Sequence, residues 1–504
     1  MTWRELEFIH IRIQPAAVPT PHAKYNTALS STLSIFWIFV LLSISLVTSN
    51  DSVDFDSFLR CLPTRSNSSI LIPDAILTPN NSSFESIYQL RTNNLGIFFS
   101  TSSRPAAIIT ALHPSHAQAT VICAKRHGFH VRIRSGGHDF EGLSYTSDVP
   151  FVILDMFNLR SIDVDVANET VWVQAGATTG ELYYRIAEKS NVHGFPSGYC
   201  TTLGIGGHFS GVGYGFLMRK YGLSIDNVID AQLIDVDGRI LNRELMGEDV
   251  FWAIREGGTT SFGIILSWRV RLVLVPPRVT IFTVQRTLEQ SATELAYRWE
   301  QVAPKLPTDL YIRLQAQPIN NKTSRLCIGV VYLMEPPLMC CSIELFHKSK
   351  SDYYKTVIPK QGSETLWEGL MDIEHIIIQQ NPYGGRMEEI SEPETAFAHR
   401  QGNLFMMLYA VQWTESDRGI DASGRYVEQL RKLYSAMAPY ASSNPREAFV
   451  NYRDLDIDSN ESGETKEYGA KYFRNNFKRL AGAKARVDLD NFFKNDQSIP
   501  SFVY

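Results

Sequence analysis

Two short stretches carry residue types that do chemistry on a bound group. The first is Arg134-Ser135-Gly136-Gly137-His138. Consecutive glycines let backbone N–H groups converge on an anion such as a pyrophosphate, and His138 beside them is a nucleophile candidate. A Gly-Gly turn is also a common structural device, so this stretch alone is weak. The second stretch, SGYCTTLGIGGHFSGVGYG, holds Gly204, Gly206, Gly207, Gly211, Gly213 and Gly215, with Cys200 and His208 embedded among them. So many glycines leave few side chains in the way of a flat ligand. A thiolate can add to an electrophilic ring carbon, and an imidazole can stabilise developing negative charge. The spacing does not give a dinucleotide-binding G-x-G-x-x-G turn after a strand, so a nicotinamide-dependent reductase rests on glycine richness alone.

Regular elements must hold these stretches in place. Ala106 to Ile109 reads as a short buried strand. Ser115 to His127 reads as a helix with Ser115 as N-cap, and Val131 to Arg134 as the strand feeding the first glycine turn. Phe151–Leu154 and Thr170–Val173 are further strands, and Thr178 with Glu181 is close to a capping box. Asp237-Gly238 predicts a hairpin between Leu233–Val236 and Arg239–Leu241. Phe262 to Val275 reads as one long strand stopped by Pro276-Pro277, the first domain boundary. Residues 277–440 read as α+β with helices near 289–303 and 421–438. The charge run from Lys471 to Lys484 reads as a solvated helix face.

The 504-residue chain is long enough for two or three domains. A net charge of -5 gives no reason to expect a nucleic-acid partner. Leu33 to Val47 is apolar but shorter than the roughly 20 residues that span a bilayer. Small and polar residues follow it, as in a signal peptide, so no stable membrane partner is expected after cleavage. Residues 1–32 are long for the segment ahead of such a run, which leaves an early start or an uncleaved anchor open. Asn-x-Ser/Thr sequons at Asn50, Asn67, Asn80, Asn81, Asn168, Asn321 and Asn460 support the secretory route, towards the cell exterior, cell wall or vacuole. An oxidising compartment permits disulfides, and Cys61 and Cys123 are near enough to the mature start to pair. Cys327, Cys340 and Cys341 complete the set; no Cys-x-x-Cys or zinc-ligand spacing occurs, so no metal site is expected.

RSGGHDFEGLSY and GYCTTLGIGGHFSGVGYG resemble the two flavin-attachment motifs of the berberine bridge enzyme-like family, plant FAD-linked oxidoreductases of the vanillyl-alcohol-oxidase type. The likeness continues through RKYGLSIDNVIDAQLIDVDGRIL, MGEDVFWAIREGG, NPYGGRM, HRQGN, NYRDLDID and VDLDNFFKNDQSIP, nearly all of the chain after about residue 55. The resemblance implies an α+β fold. Residues 1–49 would be a signal peptide with an extension, 50–100 the start of the FAD-binding domain and 101–275 its two-subdomain body. Residues 276–440 would be a substrate domain with an antiparallel sheet, and 441–504 a segment returning to the FAD domain. It implies FAD bound covalently, His138 to the 8α-methyl and Cys200 to C6. Arg134, Ser135, Gly136, Gly137 and Ser144 would line the pyrophosphate, with Gly204 and Gly207 against the cofactor. His208 would face the N1–C2=O edge, and Tyr214 and Tyr452 would stand over the ring. Cys61 and Cys123 match the family's disulfide. The implied activity is hydride transfer from an alcohol, sugar or specialised metabolite to flavin N5, with Tyr452 as base and oxygen or another acceptor taking the electrons.

The chain departs from the family pattern at several places. Met406 and Leu408 stand where the family usually has a polar or ionisable residue. Only MEPPLMCCSIELFHKS joins the strand Ile328–Leu333 to Lys350–Tyr353, where relatives have several dozen more residues, so the substrate sheet is expected to be incomplete and its pocket open. Phe140 stands where Tyr is frequent, and Thr201 where Pro is. Leu203 stands at a position where Val goes with fast oxygen reaction and Leu with dehydrogenase behaviour. Met406 and the short substrate domain motivate a second reading, a flavin-binding secreted glycoprotein with little or no catalysis.

Overall fold

Phe151–Asp155 (β4) is buried along its whole length, because parallel partners flank it and both faces are covered. The computed structural model describes residues 53–66, 70–100, 103–320, 323–330, 345–459 and 467–502. Within it β4 pairs in parallel with Ile108–Thr110 (β2) and His130–Arg134 (β3), and Ile76–Leu77 (β1) closes the other edge, giving the order β1-β2-β4-β3. A disulfide between Cys61 and Cys123, with Cα atoms 5.8 Å apart, joins the helix Phe55–Arg65 to Pro114–Arg126 beside this sheet. The latter helix starts one residue earlier than the sequence suggested. Its N-cap is His113, whose Nδ1 accepts the Ser115 N–H at 3.2 Å, and Pro114 fills the first turn, where its missing N–H costs nothing.

The second sheet is antiparallel, with strands Ile162–Asp165 (β5), Thr170–Gln174 (β6), Val228–Ile234 (β8), Ile240–Leu241 (β9) and Ile264–Arg271 (β10) in the order β5-β6-β10-β8-β9. The Asp237-Gly238 turn joins β8 to β9 as expected, with Ile234 opposite Ile240. The long strand read from Phe262 to Val275 breaks after Arg271. Leu272 donates its N–H to Glu169, and Val273–Leu274 (β11) takes a new partner, His193–Gly194 (β7). The helix Thr179–Lys189 opens with the full capping box between Thr178 and Glu181.

The third sheet has six strands: Phe282–Thr287 (β12), Arg313–Asn320 (β13), Thr323–Val330 (β14), Phe346–Tyr354 (β15), Ile376–Pro382 (β16) and Phe405–Trp413 (β17). Its order is β12-β14-β13-β16-β17-β15, every pairing antiparallel. Among the described residues the sheet is hydrogen-bonded without a gap, and β15 pairs with β17 along its full length after the shortened connection. Residues 331–344 of that connection, Cys340 and Cys341 among them, lie outside the described residues, as does the apolar run Leu33–Val47. Alternate residues Phe405, Met407, Tyr409, Val411 and Trp413 of β17 share a core with the helices Ala292–Val302, Lys360–Met371 and Ser423–Met437. Met406, one step along, joins the other core with Tyr353, Tyr383, Phe397 and Phe449, as the period of two requires.

The C-terminal segment returns to the first two sheets. It forms two helices, Glu467–Phe473 and Asn476–Val487, and their charge run is not a uniformly solvated face. Lys484 is fully buried. Its Nζ donates to the carbonyls of Ser261 at 2.6 Å and Phe493 at 2.7 Å and pairs with Asp488.

Candidate active site

β3 ends at Arg134, and the chain then loops through Ser135–Ser144. The second glycine-rich stretch loops from Gly198 to Gly204 before the helix Ile205–Ser210. Both loops line one cavity of about 230 Å³, completed by Phe449–Arg453, Gly258, Thr260 and Asn495. His138 and Cys200, distant in the chain, both line it, together with His208, Tyr214 and Tyr452. Ser135, Gly136, Gly137, Ser144, Gly204 and Gly207 line it too.

Arg134 does not line it. Its side chain is fully buried behind the loop, paired with Asp155 at 2.8 Å and bonded to the carbonyls of Tyr88 and Ile87. A buried carboxylate attracts the guanidinium more strongly than an open cavity does, so its expected place among the lining residues is corrected. Two glycines also have a reason that the sequence did not show. A Cβ at Gly136 would lie 2.4 Å from the Gly204 nitrogen, and one at Gly204 would lie 2.2 Å from the Gly136 nitrogen. The two loops touch backbone to backbone. Gly207, by contrast, has open space where its Cβ would stand.

The histidines of the site are held neutral. His138 is pushed down to about 4 by burial, and His208 to about 3 by burial and then by His138. Gly198 donates its N–H to Nε2 of His208 at 2.9 Å, so the neutral ring carries its proton on Nδ1. His347 of β15 is likewise pushed down to about 3, by burial, His138 and Lys348. Cys200 is buried and outside any disulfide, and its loop is fastened to the start of the helix Thr179–Lys189. Thr179 Oγ1 donates to the Cys200 carbonyl at 2.5 Å, and the Gly180 N–H donates to Thr201 at 3.0 Å.

Tyr214 and Tyr452 share a short hydroxyl–hydroxyl hydrogen bond. Burial, followed by the neighbouring Tyr452, pushes the Tyr214 phenol well up, so Tyr214 keeps its proton. Phe140 stacks on Tyr452 at 5.5 Å with planes 10° apart, and Phe449 meets Tyr452 edge-on. Met406 is buried in the apolar layer and is not among the cavity-lining residues.

Ser144 Oγ and Arg453 Nη1 are buried, belong to cavity-lining residues and have no hydrogen-bond partner within the protein. A hydroxyl and one guanidinium nitrogen left unsatisfied in this way suit an anionic, oxygen-rich guest. With the open space at Gly207 and the two nucleophiles on one cavity, the residues fit FAD.

Comparison with known proteins agrees. Residues 105–243 match the FAD binding domain family, and residues 448–500 match the berberine and berberine like family. Berberine bridge enzyme-like 17 of Arabidopsis thaliana is 45% identical over 525 aligned positions, covering 92% of this chain and 98% of that protein. The chain belongs to the berberine bridge enzyme-like family of FAD oxidoreductases. The alignment is longer than the 504-residue chain itself, so it opens gaps in this chain relative to its relative. Tetrahydroberberine oxidase of Berberis wilsoniae is 43% identical, covering 93% of this chain and 98% of that one. The crystal structure of a grass pollen allergen with glucose dehydrogenase activity superposes with a TM-score of 0.81 at 35% identity, covering 89% of this chain and 100% of that one.

Arg453, which lines this berberine bridge enzyme-like site, and Arg313 and His347, which pack beside residues that line it, were not singled out in the sequence. Arg453 follows Tyr452 directly and pairs with Asp139 at 3.4 Å; its place beside the candidate base was the available signal. Arg313, buried at the start of β13, lies over the Tyr199 ring at 4.7 Å, with an Nη1 that has no partner. His347 meets Phe140 edge-on at 5.0 Å. No local pattern marks either of the last two.

Proposed function

We propose that this FAD oxidoreductase holds its flavin by two covalent bonds, from His138 to the 8α-methyl and from Cys200 to C6, and oxidises an alcohol, sugar or specialised metabolite. The supporting observation is that an unprotonated imidazole and a buried thiol outside any disulfide, brought from two distant loops, line one cavity. FAD, when bound, accepts a hydride at N5 and passes the electrons to oxygen or another acceptor.

The protein's own groups handle the proton. Tyr214 and Tyr452 are hydrogen-bonded hydroxyl to hydroxyl; with Tyr452 ionised, Tyr214 is the donor of the pair and the Tyr452 oxygen takes the substrate's hydroxyl proton. A tyrosinate requires positive charge nearby; Arg313 acts electrostatically on Tyr214, the partner of Tyr452, and Arg453 follows Tyr452 in the chain while pairing with Asp139. His208 presents Nδ1–H as a neutral donor, able to stabilise negative charge on the ring edge it faces. Phe140, Phe449 and Tyr214 pack their rings against Tyr452 and hold it in place.

Leu203 also lines the cavity, and its side chain beside the flavin favours dehydrogenase over oxidase behaviour by crowding the space oxygen needs. In support, an isoleucine-to-valine variant of the pollen allergen is a glucose oxidase. The secretory route is part of the same reading. Asn80, Asn81 and Asn168 are exposed sequons, and a mobility shift on N-glycosidase treatment tests them.

Mass analysis of tryptic peptides decides the central claim. The expected result is one FAD joining the His138 peptide to the Cys200 peptide; colour released by acid precipitation refutes it. Anaerobic addition of monolignols, oligosaccharides and alkaloids then tests catalysis, read as bleaching of the flavin band. No bleaching by any of them favours the second reading, a flavin-binding glycoprotein, which the apolar Met406 supports.

A further inference from the structure

Beyond the cavity, the loop that carries His138 is tied to β15. Asn94 Nδ2 donates to the carbonyl of Phe140 at 2.8 Å and to that of His347 at 3.2 Å, bridging loop and strand. The His347 ring packs on Phe140. Lys348 Nζ pairs with Glu141 and, at 2.9 Å, with Asp454. Lys350, on the same face of the strand, binds Asp454 at 2.7 Å and Asp456 at 2.6 Å. Glu141 also accepts the Leu455 N–H at 3.3 Å.

Lys348, Lys350, Glu141 and Asp454 are buried. Buried charges are costly to hold and rigid once paired, so such a cluster fixes geometry more than it adds stability. It joins the residues just after His138 to those just after Tyr452. The Cys200 loop makes none of these bonds; it is fastened to Thr179 and Gly180 and meets the His138 loop at the Gly136–Gly204 contact.

We propose that β15 is the docking strand for the His138 loop, and that the Lys348–Glu141 pair positions His138 for its own linkage while leaving the Cys200 linkage to the Thr179 anchor. The proposal rests on the doubly attached flavin proposed above. In that bond-forming step a C–N bond replaces one methyl C–H and the imidazole N–H. Both hydrogens, with one electron pair, leave to dioxygen as hydrogen peroxide. A loop displaced by about an ångström slows such a step by roughly 100-fold.

The test uses the full-length flavoprotein, made as wild type, Glu141→Gln and Lys348→Met. Peptide mass analysis over time after FAD addition separates flavin on the His138 peptide from flavin on the Cys200 peptide. The expected result is His138 linkage slowed roughly 10- to 100-fold with Cys200 linkage at the wild-type rate. Thr179→Val is expected to give the reverse. If Lys348→Met does not accumulate, Glu141→Gln, which keeps the shape and the Leu455 contact, decides. Both linkages proceeding normally in Glu141→Gln, or both slowing together, overturns the proposal. A wild-type protein with no linkage at all refutes the doubly attached flavin instead.

Discussion

Gly198 donates its backbone N–H to Nε2 of His208, and the contact is tight enough that a Cβ on Gly198 would lie 2.9 Å from the ring. The glycine thus sets both the tautomer and the place of the imidazole. His208→Ala is expected to keep its flavin but to slow flavin reduction by roughly 100- to 1,000-fold, the loss usual for a donor to developing charge. Stopped-flow reduction with a turned-over substrate measures it. Because His208 sits at about 3, its charge does not change between pH 5 and 8, and the wild-type reduction rate is expected to show no inflection from it there.

Tyr452→Phe is expected to lower the reduction rate by roughly 100- to 10,000-fold, with flavin content unchanged, as loss of a general base does. Tyr214→Phe keeps the base but removes its donor. It is expected to shift the acidic limb of the pH–rate profile to higher pH, with a smaller loss at the optimum.

Leu203→Val is expected to speed reoxidation of the reduced enzyme by oxygen without a comparable change in reduction. Hydrogen peroxide formation in air-saturated buffer reads it. An unchanged oxygen reaction would return Leu203 to a packing role.

Glu256 is a misfit in the described core. It is fully buried, both carboxyl oxygens have no partner within the protein, and its φ of 116° is glycine territory. Burial raises it well above the usual carboxylate range, so it is held neutral. A raised folded value means that its share of stability is present below the unfolded value near 4 and is lost as pH rises. Its own contribution is therefore expected to lower the melting temperature more at pH 8 than at pH 5. Glu256→Gly is expected to gain about 2 kcal/mol at pH 8 and to flatten that slope. Thermal unfolding at the two pH values checks both.

His347 gives the opposite sign. Its value is lowered to about 3, so stability falls as pH drops below its unfolded value near 6.5. Its Nε2 is buried without a partner within the protein. His347→Phe keeps the ring on Phe140 and is expected to gain about 1 kcal/mol and to weaken the acid-side decline in melting temperature.

The sequence by itself determined whatever depends on near neighbours in the chain. The Thr178–Glu181 capping box, the Asp237-Gly238 hairpin and the strand running into Gly136-Gly137 are short-range arrangements, and each was legible. So were His138 and Cys200 as candidate site residues, because each sits inside its own glycine-rich loop, and both line the cavity. The tertiary structure decided everything that waits on a distant partner. Asp155 turned Arg134 away from the cavity, Gly204 met Gly136 backbone to backbone, and Ser261 and Phe493 drew Lys484 inside a helix that reads as solvated. The Tyr214–Tyr452 bond and the docking of the His138 loop on β15 join residues far apart in sequence. Hydrogen bonds and ion pairs of that kind have no period and no spacing, so only the folded chain reveals them.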